Sequence, residues 1–167
     1  MPCGFGAAFF RALFLPTTFN NHNKLIMEEL LVFAVLLCEG IMSEDEYWKR
    51  LDELFLESPE DDNFLYLEWE TDIKKAITYI RTNIDYTTFD YGLFGKILME
   101  KLRTYYEQCL DIKSFSERMY LLWEDLPFDI QDKQPFYTLC YADDPLSWGD
   151  KEQTRRLYEG MLNYYLK

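Results

Sequence analysis

The run Leu30–Cys38, LLVFAVLLC, is nine consecutive apolar residues. A helix on a protein surface keeps a polar face, so a segment that is apolar all round has to be enclosed by other elements. Nine residues also fall well short of the roughly 20 needed to span a bilayer. The run therefore predicts a buried helix, Met27–Glu39, ended by Gly40 in the left-handed conformation that succeeds a helix.

The chain after Gly40 reads as further helices. Ser43-Glu44-Asp45-Glu46 matches a capping box, and Tyr47, Leu51, Leu54 and Phe55 give the buried stripe of a second helix that Pro59 closes. Glu46 and Arg50 are spaced for an i,i+4 ion pair. A third helix carries Leu65, Trp69, Ile73, Ala76, Ile77, Ile80 and Ile84 on one face. Asp90 caps a fourth, with Leu93, Phe94, Ile97, Leu98, Leu102 and Tyr105 inward, where Gly95 admits a close neighbouring helix. Ser114-Phe115-Ser116-Glu117 is a second capping box, opening a fifth helix with Phe115, Met119, Leu122, Trp123 and Leu126 inward and Pro127 as its stop. A loop is expected over Phe128–Lys133.

The closing stretch Gln134–Asp150 holds two prolines, a glycine, four aromatics and three aspartates in seventeen residues. It reads as a rigid joint with a short helix Phe136–Tyr141, an extended or turn conformation at Asp144 before Pro145, and an Asp150 capping box for a last helix with Leu157, Met161 and Tyr165 inward. Hairpin dipeptides and long alternating β-branched runs are missing from the sequence. The fold class expected is all-α, an irregular bundle of six or seven helices. Residues 27–167 are expected to form one helical domain, with a subdivision near 108–113 as the alternative. Residues 1–26 differ in charge and composition and read as an arm, and one reading starts the native chain at Met27 with the arm as an upstream extension.

Charge is the second constraint. The 167 residues carry 17 basic and 30 acidic groups, a net charge of −13. Arg11 and Lys24 are the only charges before Met27, so the body is more acidic than the whole chain. Such a field repels phosphates and anionic membranes, which argues against direct nucleic-acid or membrane binding and for a basic partner, or else serves solubility alone. The densest window is Glu57–Asp72, with Glu57, Glu60, Asp61, Asp62, Glu68, Glu70 and Asp72 and no basic residue. Those acids suit either a binding patch or helix starts.

Catalytic signatures are weak. His22 is the sole histidine, which leaves no pair for an HExxH zinc site, no Glu-x-x-His pairs for a di-iron bundle, and one arm residue for any triad. Gly4 and Gly6 lack the third glycine and lysine of a phosphate loop. The four cysteines are widely spaced, without a CxxC pair, and Cys38 and Cys140 lie in apolar runs, so reduced thiols and a cytoplasmic protein are expected. The apolar patch Ala7–Leu15 is interrupted by Arg11 and makes a poor signal peptide. Asp143, Asp144 and Asp150 admit acid/base or hard-cation chemistry, although aspartates at turns and caps are ordinary. Trp48, Trp69 and Trp123 read as core. Trp148 is either a plug fastening the joint, the favoured reading, or an exposed anchor.

The cassette PFYTLCYADDPLSWGD, with Gln153-Thr154-Arg155 and Leu157-Tyr158 after it, resembles a segment of small uncharacterised bacterial proteins and implies no activity. In size, acidity and helical content the chain is similar to bacterial toxin immunity proteins, which block a basic nuclease or other toxin. Together these point to a non-enzymatic, cofactor-free binding module for a basic protein, an immunity protein or inhibitor. Its partner-binding residues are expected among Glu57, Glu60, Asp61, Asp62, Glu68, Glu70, Asp143, Asp144 and Trp148. One alternative is a nucleic-acid mimic of anti-restriction or anti-CRISPR type. The other is an enzyme or a metal- or small-ligand domain using Asp143, Asp144 and Asp150.

Overall fold

The computed structural model describes residues 21–166, with side chains from Met27 onward. The expected arm, Cys3, Gly4, Gly6 and the Ala7–Leu15 patch lie outside the described residues or, for residues 21–26, are described only as backbone. The architecture is all-α, an irregular bundle, and no strand occurs among the described residues.

The order is α1 Asn21–Cys38, α2 Glu44–Glu57, α3 Asp62–Trp69, α4 Ile73–Asn83, α5 Tyr91–Gln108, α6 Ile112–Asp125, α7 Phe128–Gln131 and α8 Lys151–Leu162. Three 3-10 segments, Phe136–Cys140, Asp144–Trp148 and Tyr164–Leu166, complete it. The helix α1 is the axis. Leu30 through Leu36 are each at most 2% exposed, and α1 packs on α4 and α5 and touches α2 and α6. It starts six residues ahead of the expected Met27, because neither proline nor glycine stands between Asn21 and Met27 to stop it. At its end Gly40 adopts φ +63°, with the Ile41 amide donating to the Leu36 carbonyl and the Gly40 amide to Leu37, the paired bonds of a Schellman turn.

Several expected elements form as read. Ser43 caps α2 in a reciprocal box with Glu46, Asp90 caps α5 through the Leu93 amide, and Asp150 caps α8 through Gln153. Other expectations are corrected. Because Glu46 is spent on the Ser43 amide, Arg50 pairs instead with Glu29 at 2.9 Å, Glu53 at 3.1 Å and Glu57 at 3.9 Å. The cap of α6 is Asp111, which accepts from Lys113 and Ser114, so that helix begins before the Ser114 box. Phe128–Gln131 is helical, not a loop, since Pro127 suits a helix start. Asp144 opens a 3-10 turn, not an extended step.

The expected third helix is two helices. Glu70 closes α3, its carboxylate accepts the Asp72 amide at 3.0 Å, and the Asp72 carboxylate accepts the Lys74 amide at 3.0 Å to start α4. With the axis broken there, Phe64 and Leu67 turn inward and Leu65 and Trp69 turn outward.

The joint nests between α6 and α8. Phe136 is buried against Phe94, ring centroids 6.1 Å apart, and a Cβ on Gly95 would lie 2.7 Å from Phe136 Cζ and collide with the Tyr165 ring. Gly95 therefore admits two aromatic tips, not a helix backbone. Gly149 at φ +85° reverses the chain into α8, with the Asp150 amide donating to Pro145. The inward face of α8 is Thr154, Tyr158, Met161 and Leu162, rotated from the expected Leu157 and Tyr165, both of which are only partly buried. A continuous buried cluster runs from Leu30 in α1 to Leu162 in α8.

Candidate protein-docking surface

Four residues, Ser58–Asp61, join α2 to α3, and the two helices pack on each other as an αα-hairpin. Their buried faces, Tyr47, Leu51 and Leu54 with Phe64 and Leu67, are short apolar stripes. The opposite face carries several large apolar side chains in water. Trp69 is 82% exposed and Leu56 79% exposed, with Leu65 and Tyr66 near half exposure. Large apolar side chains held in water on one small unit mark an interaction site more often than scattered single residues do. Tyr66 is fixed by stacking on Tyr79, centroids 4.0 Å apart, whose hydroxyl donates to Asn63.

The expected acids divide by what they do. Asp61 caps α3 through the Asn63 amide, Glu70 accepts the Asp72 amide, and Glu57 reaches Arg50. Glu60 and Asp62 are exposed. Glu68 is partly buried. Burial, and then the facing Asp52 carboxylate, hold its carboxyl above the usual range. The ion pairs among the described residues are those of Arg50, Arg81 with Asp125, and Arg156 with Glu152. Glu60, Asp62, Glu68 and Glu70 take part in none of them.

Asp143, Asp144 and Trp148 are not joined to this group. They sit in and before the second 3-10 turn, which packs on α8, whereas α3 packs on α2. Trp148 is 64% exposed and so is not the plug of the joint; Pro145, buried in the same turn, fills that place. Asp143 is partly buried, Asp144 is exposed, and Asp150 is committed to capping α8. No group of three or more His, Cys, Asp or Glu side chains placed to hold a metal occurs among the described residues.

Two further expectations are corrected. Trp69 is surface, not core, because the helix breaks at Glu70–Asp72. Cys38 is exposed at the end of its apolar run, beside Arg81 and Asp125, and partial burial, with Asp125 second, raises its thiol. Cys38, Cys109 and Cys140 are free. No helix among the described residues is long and apolar enough to cross a membrane.

Sequence reasoning missed Leu56, Tyr66 and Asp52 as parts of this surface. The signal for the outward face of α3 was Glu70-Thr71-Asp72, an aspartate cap before a helical run, which the long apolar period from Leu65 to Ile84 outweighed. Comparison with protein-family models, with curated proteins and with solved structures gives no match.

Proposed function

We propose that the protein is a non-enzymatic binding module that docks a basic protein on its α2–α3 hairpin, with an immunity protein or inhibitor as the leading case. The observation that carries this reading is Trp69, a large ring held 82% exposed among acids that the described ion pairs leave uncompensated. Tryptophan is among the commonest anchors of protein interfaces, and charges around such an anchor steer a complementary partner and fix its orientation. An acidic rim selects a cationic partner on the same grounds.

The test begins with the tagged full chain and whatever it retains from its native cell. Against the captured protein, Trp69→Ala is expected to weaken binding at least about tenfold. The triple reversal Glu60→Lys, Asp62→Lys, Glu70→Lys is expected to abolish capture, while the matched reversal Glu100→Lys, Glu107→Lys, Asp132→Lys leaves it. Equal effects of the two triples would overturn the reading. Capture of several unrelated nucleic-acid-binding proteins, each displaced by DNA, would assign the protein as a nucleic-acid mimic instead.

A further inference from the structure

The turn from α5 to α6 is three residues long, Cys109–Asp111. Both helices pack on α8, and a cleft of about 170 Å³ lies between the turn and α8, lined by Tyr106, Cys109, Leu110, Asp111, Ile112 and Arg155. Drug-sized ligands take roughly 300–1,000 Å³, so this cleft suits a smaller molecule. Its apolar wall is Ile112, buried, and Leu110, 100% exposed. Burial pushes the Cys109 thiol up, so the thiol adds no charge. Arg155 and Asp111 are the charged groups of the lining, both exposed. The acids one turn from Arg155 on α8 are engaged elsewhere: Glu152 pairs with Arg156 at 3.5 Å, and Glu159 accepts the Tyr106 hydroxyl at 3.3 Å. Asp111 Oδ1 accepts the Lys113 amide at 2.8 Å and the Ser114 amide at 3.0 Å, while Oδ2 receives only the Ser114 hydroxyl at 3.4 Å. Those bonds hold the carboxyl below the usual range, so it stays an anion. Neither Arg155 nor Asp111 takes part in any of the described ion pairs, and the two do not pair with each other.

Opposite charges that line one small cleft without touching leave room for a ligand that carries both. We infer that the cleft between the α5–α6 turn and α8 is a binding site for a free aliphatic α-amino acid. The carboxylate of such a ligand takes the guanidinium fork of Arg155 in two parallel hydrogen bonds. Its ammonium donates to Asp111, where Oδ2 is the open acceptor. Its side chain lies against Ile112 and Leu110 and removes the exposed leucine from water. A purely anionic ligand meets the repulsion of Asp111 and a purely cationic one that of Arg155, so neither matches the pair. In a peptide the two terminal charges are separated by the length of the chain, which favours the free amino acid. The site draws on α5, α6 and α8 and on no residue of the α2–α3 hairpin, so it goes beyond the docking reading and stands whether or not the hairpin holds a partner.

The experiment is an NMR titration of the full chain with L-leucine at neutral pH and constant ionic strength, following backbone amides. Glycine, leucinamide and 4-methylpentanoate, which lack in turn the side chain, the carboxylate charge and the ammonium, form separate arms. The amides of Cys109, Leu110, Asp111 and Arg155 are expected to shift together and saturate with leucine in the millimolar range. Each of the three analogues is expected to bind at least about fivefold more weakly. Arg155→Gln weakens leucine at least about tenfold. Asparagine caps a helix as well as aspartate does, so Asp111→Asn keeps α6 while removing the charge, and it weakens leucine at least about threefold. The paired control Lys75→Gln with Asp132→Asn leaves leucine binding unchanged. Amide dispersion confirms that each variant is folded, and the analogue arms test the site on the native chain alone. No saturation, shifts spread over the whole surface, or full leucine binding by Arg155→Gln or Asp111→Asn would overturn the site. So would 4-methylpentanoate or leucinamide binding as tightly as leucine, since one charge would then suffice, or glycine doing so, since the apolar wall would then play no part.

Discussion

The α2–α3 hairpin and the joint at residues 134–150 are both rich in rings and carboxylates and both leave a tryptophan in water, Trp69 and Trp148, but the joint also drives a ring into the gap that a glycine leaves on a neighbouring helix. In the joint, Phe136 and Leu139 are buried, Phe136 presses over Gly95, and Asp150 caps the next helix. On the hairpin, Trp69, Leu65 and Tyr66 are in water, and Glu60, Asp62, Glu68 and Glu70 take part in none of the described ion pairs. Composition is therefore a poor guide to role. What separates Phe136 from Trp69 is whether backbone geometry turns the ring toward a neighbouring helix or away from it, and for Trp69 the place where α3 ends decides it.

Removing one ring from each region gives the widest contrast. Phe136→Ala is expected to lower unfolding free energy by about 3–5 kcal/mol through loss of burial and the cavity left behind, whereas Trp69→Ala, at 82% exposure, changes it by less than about 0.5 kcal/mol. Urea unfolding of the two variants checks both, and a large loss at Trp69 would show that the ring braces the fold. Gly95→Ala should cost about 1–3 kcal/mol by overpacking against Phe136 and Tyr165, and a neutral result would mean that the joint yields easily.

Smaller effects test the unpartnered groups. The Tyr158 hydroxyl is enclosed without a partner on α8, so Tyr158→Phe is expected to leave stability unchanged or raise it by up to about 1 kcal/mol, read by the same unfolding curves. A destabilisation of that size would reveal a donor or acceptor serving the hydroxyl. For Glu68, burial and then Asp52 raise the folded-state carboxyl above its ordinary 4.5, so the folded chain binds that proton more tightly than the unfolded chain. The stability this contributes is fully present below about pH 4.5 and is lost as pH rises through the raised value. Glu68→Gln is thus expected to be the more stable protein at pH 7, by less than about 1 kcal/mol, with the advantage gone at about pH 4. Thermal melts of both proteins across that range measure the difference, and a constant gap would contradict the facing of Glu68 and Asp52.

Much of the scaffold was legible in the sequence. Nine apolar residues at Leu30–Cys38 announce the central helix, and Ser43, Asp90 and Asp150 announce three helix starts, because capping is local chemistry. The site was legible in charge but not in shape. The acids of Glu57–Asp72 stand out in any reading, while the exposure of Leu65 and Trp69 depends on a helix break whose cap competes with a strong apolar period. Asp52 and Glu68 face each other only because α2 and α3 fold back on each other, and spacing in the chain carries no trace of that. Cys38 shows the converse: an apolar run predicts burial, but its last residue leaves the helix at the surface.

The most direct measurement places a photo-reactive aromatic residue at position 65, on the hairpin, or at position 137, in the joint, where the native side chains Leu65 and Tyr137 are 43% and 42% exposed. Irradiation in the native cell is expected to yield an adduct from position 65 with a protein of net positive charge, and none from position 137. Adducts from both positions alike, or from position 137 alone, would contradict the hairpin as the docking surface.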